Sequence, residues 1–329
     1  MAGSVAFGPV SSRRLGVSLG ANNIPAKTCT YSCVYCQVGK TSRLCTERRA
    51  FFDAHEVAVQ VADKLRSART AGAKVDYITL VPDGEPTLDI KLGEEIRLLR
   101  GLGLPVAVIT NASLLWRAAV REDLAGADLV SVKVDALDSG LWRRINRPHP
   151  NLAFGRVLDG IEEFARGFKG RLISETMIIG RAGQDFNALA DFLDRLEGLE
   201  MAYVSTITRP PAEAWASPAS EGSLKAIGAT LSRTLGGERV SILPRHEGDL
   251  PALSAIDDVE GSVLGIVAVQ PLREDVLKSY LMKAGLDWEV VEKLIVANKI
   301  RATQFCGQRY LQRIFEDVGG QAGRQRVKR

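Results

Sequence analysis

The 329 residues are 46% hydrophobic and 25% charged, with a net charge of +4: ordinary soluble globular material, long enough for one large domain and a small one. No apolar run approaches a membrane span and the opening MAGSVAFGPVSSRRLG lacks the hydrophobic core of a signal peptide, so a cytoplasmic location and no membrane partner are expected. Five cysteines, three of them clustered, suit a reducing compartment and a metal site better than a disulfide framework. In chain order, strands are expected at Leu15–Leu19, Val75–Leu80, Pro105–Thr110, Asp128–Val134, Arg171–Ile178, Ala202–Ile207 and Arg239–Leu243. Helices are expected between them, near 53–71, 90–101, 116–124, 151–168, 185–197 and 220–235, several closed by Gly or Pro. Strict alternation implies an α/β fold with a parallel sheet and right-handed crossovers, a partial (β/α)6-type barrel over residues 1–243, with a doubly wound sheet as the alternative. Either architecture gathers ligands at the C-terminal ends of the strands.

The pattern then changes. A connecting segment, 244–272, leads to two expected helices, Arg273–Ala284 and Asp287–Asn298, and two β-like runs, Ile300–Phe305 and Arg309–Ile314, around Cys306-Gly307. That order suggests a winged-helix-like module over 273–316, followed by a flexible basic tail, 317–329. A recognition helix is normally basic, yet the second helix carries Asp287, Glu289 and Glu292 against Lys293, which favours a scaffold, lid or partner-binding piece over a nucleic-acid reader.

Just after the first expected strand comes Cys29-Thr-Tyr-Ser-Cys33-Val-Tyr-Cys36, a C-x3-C-x2-C spacing. Three thiolates on one loop can hold three irons of a [4Fe–4S] cluster and leave the fourth open; zinc would want a fourth protein ligand, and no second Cys or His pair follows at a useful distance. Gly39 permits a turn that aims backbone N–H groups at the sulfurs. Of Val34 and Tyr35, alternation turns one inward. At the end of the second strand, Val81-Pro-Asp83-Gly84-Glu85-Pro86-Thr87 puts a glycine beside a carboxylate, a receptor for an ammonium group or simply a turn. Thr110 and Asn111 end the third strand, and in the fourth Ser131, Lys133 and Asp135 share one face opposite Val130, Val132 and Val134. Lys133 with Asp135 or Glu175 also reads as an ion pair holding the barrel.

C-x3-C-x-aromatic-C after the first strand of an α/β chain resembles the radical S-adenosylmethionine (SAM) superfamily. The resemblance implies that Cys29, Cys33 and Cys36 ligate the irons and that the open iron takes the amino and carboxylate groups of SAM. One electron then splits the sulfonium to a 5′-deoxyadenosyl radical. It further implies that the backbone of Tyr35 reaches the adenine edge, and that Gly84, Glu85 and Pro86, similar to the family's GGEP with Asp83 in place of the first glycine, contact the methionyl amine. Asn111, Ser131, Lys133, Asp135 and Glu175 stand where the family's polar residues meet the nucleoside. A one-electron reductant of flavodoxin or ferredoxin type is the implied partner. FGPVSSRRLGVSLG, ITNASLL and the RPP at 209–211 resemble the branch grouped with tRNA wyosine-synthesis enzymes. The chain departs from that branch: no cysteine precedes Cys29, and Cys45 and Cys306 alone do not hold a second cluster.

Cys45 is a candidate hydrogen-atom donor near the cluster loop or a plain thiol. Arg143, Arg144, Arg147, Arg181 and Arg209 recur on loops after strands, so the mouth is expected to attract an anionic or nucleotide-like substrate, with tRNA among the candidates, unless these charges only fix loops. His149 reads as a loop residue rather than a base. The expected function is a radical SAM enzyme abstracting hydrogen from that substrate; the alternative is a noncatalytic nucleic-acid regulator carrying an Fe–S cluster or zinc.

Overall fold

The computed structural model describes residues 5–81, 83–243 and 259–315. The chain opens on an antiparallel hairpin, β1 (Ala6–Ser12) and β2 (Gly16–Ala21), and from β2 onward the strands of the large sheet run parallel. A loop bearing the cysteines follows, pinned by the short parallel pair β3 (Thr28–Cys29) and β4 (Arg43–Leu44). Then come α1 (Ala54–Thr70), β5 (Tyr77–Leu80), α2 (Leu92–Arg100), β6 (Val106–Thr110), α3 (Ala118–Leu124) and β7 (Leu129–Lys133). The series continues through α4 (Ser139–Ile145), α5 (Phe154–Gly167), β8 (Arg171–Ile178), α6 (Phe186–Asp194), β9 (Leu199–Thr206), α7 (Glu221–Leu235) and β10 (Val240–Ile242). The sheet order is β1-β2-β5-β6-β7-β8-β9-β10, so each new strand is added beside its predecessor. A doubly wound sheet would reverse direction at a switch point. This one never does, and its edges β1 and β10 do not pair, which makes it a partial barrel of six β/α units.

The sequence reading begins the sheet one strand late. β1 contains Gly8-Pro9, a turn signal, and its register with β2 shifts between Phe7 and Val10, where that dipeptide lies. Proline is tolerated in a strand only at an edge or a bulge, and β1 supplies both. The seven-residue helix α4 was read only for its arginines; Asp138 caps it, accepting from the Leu141 N–H at 2.7 Å. Elsewhere the helices follow their apolar spacing. α1 buries Val57, Val61 and Leu65 below an Asp53 cap, and α5 buries Val157, Ile161 and Phe164. The outward-facing Val130 and Val132 of β7 join this helix-covered core, while Leu129 meets Leu15, Ala107 and Ile173 in a separate plug on the inner side. By the two-residue period of a strand, Ser131 and Lys133 stand above that plug, toward the mouth.

Helix α8 (Val259–Val269) lies within the expected connecting segment, but its buried Val263, Ile266 and Val267 belong to the C-terminal core. With β11 (Leu272–Arg273), α9 (Glu274–Lys283), α10 (Glu289–Val296), β12 (Ile300–Phe305) and β13 (Gln308–Arg313) it forms a module around a three-stranded sheet ordered β11-β13-β12. Cys306 and Gly307 both take left-handed φ (48° and 76°), the two-residue turn a tight hairpin requires. Residues 244–258 and the basic tail, 317–329, lie outside the described residues. Among the described residues no helix is long and apolar enough to cross a membrane.

Candidate active site

The cysteine loop leaves the C-terminal end of β2 and is strapped down by the segment after α4. Backbone N–H groups of Ser32 and Val34 donate to the carbonyls of Asn146 (3.0 Å) and Ile145 (2.9 Å), and that of His149 donates to Thr30 (2.9 Å). This strap corrects the alternation argument: Val34 and Tyr35 are both buried, because the loop is covered on two sides. Gly39 takes φ +95° with open space around it, and its backbone N–H donates to the Cys36 carbonyl at 3.2 Å. Cys29 receives the Tyr31 N–H and the Asn111 amide, both at 3.5 Å, and Cys33 receives the Asn146 amide at 3.5 Å. Burial pushes the free thiols up, Cys33 to about 12 and Cys29 and Cys36 above their ordinary range. Such buried thiols keep their protons until a metal displaces them. Cys45 lies beside the loop, its N–H donating to the Cys29 carbonyl at 3.0 Å.

The D-G-E-P turn is built against the start of this loop. Lys27 donates to the Asp83 carbonyl (2.7 Å) and Glu85 donates to the Thr28 carbonyl (3.0 Å). A Cβ on Gly84 would stand 1.9 Å from that Thr28 oxygen, so only glycine allows the approach. Glu85 differs from the role the resemblance implies. It is 1% exposed, and its Oε1 accepts from Thr87 N (3.1 Å), Thr87 Oγ1 (2.6 Å) and Thr110 Oγ1 (2.6 Å), while Oε2 accepts from Asn111 N (2.7 Å). Its carboxylate therefore braces the turn to the end of β6 instead of lying open to an ammonium group. Pro86 starts a short 3-10 turn, and its carbonyl accepts from Asn23 Nδ2 at 3.3 Å. Asp83 carries the open oxygen: it is 6% exposed, its Oδ1 has no partner among the described residues, and burial raises its pKa to about 7 against the pull of Arg313.

On the facing wall Asp135 is a hub. Its Oδ2 accepts from the Tyr35 hydroxyl and from Asn146 Nδ2 (2.7 Å), and Oδ1 accepts from the Met177 N–H (2.8 Å). Lys133 lies between Asp135 Oδ1 (3.9 Å) and Glu175 Oε1 (3.8 Å), with its ammonium 5.1 Å from the centroid of the Tyr35 ring. Glu175 is further paired with Arg14, and it accepts from Ser205 Oγ at 2.9 Å. Burial, with Arg13 beside it, lowers the Arg14 pKa to about 10. Ser131 is buried at mid-strand, in register with Ile109 and Ile173, below these charges. The structure thus gathers Cys29, Cys33, Cys36, Tyr35, Asn111, Lys133, Asp135 and Glu175 around one mouth. Arg14 and Asn146 join them without having been singled out. Asn146 was hidden in a stretch read for its arginines, and Arg14 stands before β2 in a stretch, FGPVSSRRLGVSLG, read only as a whole.

The basic loop residues divide. Arg147 bonds Glu213 at 2.6 Å, the Arg144 guanidinium lies 5.2 Å from the ring of the exposed Trp215, and Arg143 and Arg181 face solvent. Arg209 instead joins the two parts of the molecule, donating to Gln37 Oε1 (2.6 Å) and Gln270 Oε1 (3.1 Å). Gln37, next after Cys36, donates to the Val269 carbonyl at 2.7 Å, and Tyr310 donates to the Thr208 carbonyl at 2.9 Å. The C-terminal module therefore sits over the end of the cysteine loop. His149 is a loop residue whose Nδ1 accepts from the Asn151 N–H at 3.2 Å.

The residues fit the group the sequence implies. Among the described residues no three Cys, His, Asp or Glu side chains are placed to hold a single ion, as a mononuclear zinc site requires. Three sulfurs on one loop, those of Cys29 and Cys33 with N–H donors, instead suit a cluster that takes one thiolate per iron, and the unpartnered Asp83 oxygen suits an ammonium donor. A family model described as the Radical SAM superfamily matches residues 23–196. The UPF0026 protein MJ1312 of Methanocaldococcus jannaschii is 40% identical over 93% of this chain and 94% of its own length. Among solved structures, TYW1 with a lysine-pyruvate adduct bound aligns at a TM-score of 0.52 with 15% identity, covering 69% of this chain and 76% of that one. SuiB of Streptococcus suis bound to S-adenosylmethionine aligns at 0.50 with 16% identity, covering 69% and 49%. The family model spans more than half of the chain, and the protein belongs to the radical SAM superfamily.

Proposed function

We propose that this radical SAM enzyme holds its [4Fe–4S] cluster on Cys29, Cys33 and Cys36 and uses it to abstract a hydrogen atom from an anionic, nucleotide-like substrate. The observation that carries the reading is the joint construction of the cysteine loop and the D-G-E-P turn, whose backbones bond directly where Gly84 alone permits the contact. When bound, the cluster and SAM supply the reductive cleavage of a sulfonium and the hydrogen-abstracting chemistry. The chain's own residues orient them. Asp83 Oδ1 receives the methionyl amine, Asn111 and the Lys133, Asp135 and Glu175 group line the nucleoside side, and Glu85 fixes the turn from behind. Gln37, Arg209 and the C-terminal module shield the loop from water on the remaining side. Arg143, Arg144 and Arg181 at the rim favour an anionic substrate, to which tRNA and free nucleotides both belong. The reductant is a flavodoxin- or ferredoxin-type protein, and the setting is the cytoplasm.

The test is 5′-deoxyadenosine release from protein reconstituted anaerobically with iron and sulfide, given SAM and a strong reductant. Wild type is expected to release it and Cys→Ala at 29, 33 or 36 to abolish it. A single cysteine variant with full release would overturn the ligand assignment. Asp83→Asn is expected to weaken SAM binding at least tenfold with iron content unchanged, and unaltered affinity would remove Asp83 from the amine site.

A further inference from the structure

The geometry points to Asn146 and Asn111 as the residues that set the reduction potential of the cluster, the first of them tying that potential to the carboxylate on the facing wall. The inference rests on the ligand assignment proposed above. Cys36, whose backbone carbonyl accepts from the Gly39 N–H at 3.2 Å, has no side-chain amide on its sulfur among the described residues. Cys29 and Cys33 are different: each receives a side-chain amide, Asn111 Nδ2 on Cys29 Sγ and Asn146 Nδ2 on Cys33 Sγ, both at 3.5 Å.

Both amides are held where they are by other bonds. Asn111 Oδ1 accepts from the Ser113 N–H (3.0 Å) and its Nδ2 also donates to Thr30 Oγ1 (2.8 Å), which fixes the ring of atoms and points the nitrogen, not the oxygen, at the sulfur. Asn146 is 3% exposed, and its backbone carbonyl clamps Ser32 of the cysteine loop. Its Nδ2 shares two N–H groups among Asp135 Oδ2 (2.7 Å), Tyr35 Oη (3.1 Å) and the Cys33 sulfur. The carboxylate of Asp135 thus dictates which way the amide faces. A buried N–H aimed at a thiolate stabilises the extra negative charge of the reduced cluster more than that of the oxidised one, so each donor raises the potential. An external reductant then needs less driving force to load the electron. A ligand that pulled Asp135 aside would free the amide to turn and would change the potential from the substrate side.

The experiment is a dye-mediated redox titration of the reconstituted full chain without SAM, following the electron paramagnetic resonance signal of the reduced cluster. Asn146→Ala and Asn111→Ala are each expected to move the midpoint to more negative potential. The exchange Asp135→Asn with Asn146→Asp separates tuning from scaffolding: the amide–carboxylate pair is kept, but a carboxylate now stands beside Cys33. Its midpoint is expected to fall at least as far as that of Asn146→Ala. A wild-type midpoint in the exchanged protein, or in both alanine variants at full iron loading, would overturn the inference. A chain that holds no iron in the wild type would instead overturn the ligand assignment and the inference with it.

Discussion

The floor and the roof of the site are built differently. The floor, cysteine loop plus D-G-E-P turn, is held by backbone bonds between segments and by the Glu85 carboxylate, which accepts four hydrogen bonds. The roof, the C-terminal module, has a hydrophobic core of its own and joins the mouth through a few side-chain bonds at Gln37, Arg209 and Tyr310. Apart from the unpartnered Asp83 Oδ1, the donors and acceptors named in this floor already have their places, so it is shaped before any ligand arrives. The module's core also packs Val10 of β1, and Phe305 of the module packs on the barrel core, so a shift of the roof would part apolar contacts as well as a few hydrogen bonds. The difference is that backbone bonds tie the floor, while side chains tie the cover.

The hardest blow to the floor is Gly84→Ala. The added Cβ meets backbone at 1.9 Å, with no flexible side chain to yield, so the turn and the cysteine loop must separate. A loss of about 3 kcal/mol or more in thermal unfolding is expected, together with loss of iron binding. Gly39→Ala on the same loop meets nothing within 4 Å and bears only the strain of φ +95°, a cost of about 1 kcal/mol. Equal costs at the two glycines would mean that the floor is not the rigid element.

Proton linkage tests the floor from beneath. Glu95 on α2, bonded by Asn23 Nδ2 at 2.9 Å, is pushed up to about 8, chiefly by burial and then by Asp89, which itself is raised to about 6 by burial. A carboxyl whose folded pKa exceeds its unfolded value holds a proton that the unfolded chain releases. The contribution of Glu95 to stability is therefore greatest in acid and declines as pH rises from its ordinary value of 4.5 through about 8, levelling off above it. Asp83 and Asp89 add smaller declines within that window. Glu95→Gln is expected to flatten part of this slope and to raise the melting temperature most at pH 8. A variant with the wild-type slope would show that Glu95 ionises freely in the folded protein.

Arg209→Ala addresses the roof. It removes charge-assisted bonds to Gln37 and Gln270, a loss of about 1–3 kcal/mol between barrel and module. Because neither core is touched, the expected sign is less in the melting temperature than in air sensitivity: the reconstituted cluster should bleach several times faster than in wild type. Unchanged bleaching with a lowered melting point would mean that the module steadies the barrel without covering the cluster.

This contrast also explains what could be read from the sequence. The parallel strands were legible from period-two apolar runs and the helices from their 3.6-residue spacing, because one buried face imposes each pattern. Cys29, Cys33 and Cys36 were legible as one spacing on one loop, and Gly84 because the close approach to the Thr28 carbonyl demands glycine. β1 was hidden by a Gly-Pro that an edge strand tolerates. Gln37, Asn146 and Tyr310 carried no signal, and Arg209 was read as a charge at the mouth and not as a link to the C-terminal module, since a side chain that bonds a partner 102 residues away, as Tyr310 does with Thr208, is selected by tertiary distance alone. Glu85 was legible as important, yet its bracing role was not, because a motif shows that a carboxylate is present but not which donors reach it.

The smallest effect belongs to the end of the barrel opposite the site. Arg171, opening β8, bonds both oxygens of Glu200 (2.8 and 2.6 Å) and the Tyr77 hydroxyl (2.9 Å), and the pairing holds Glu200 below its ordinary carboxylate range. The pair looks stronger than anything at the roof. Its side chains are nevertheless 53% and 46% exposed, so water and salt screen it and the net worth falls under about 1 kcal/mol. Arg171→Ala is accordingly expected to shift the melting temperature by a degree or two at most, less in high salt, and to leave iron content and cluster midpoint where they were. The inner plug of Leu15, Ala107, Leu129 and Ile173 separates this end from the mouth. A change in the cluster on losing Arg171 would mean that the plug transmits strain along the strands, and the floor would then owe its shape to the whole barrel and not to the loops above it.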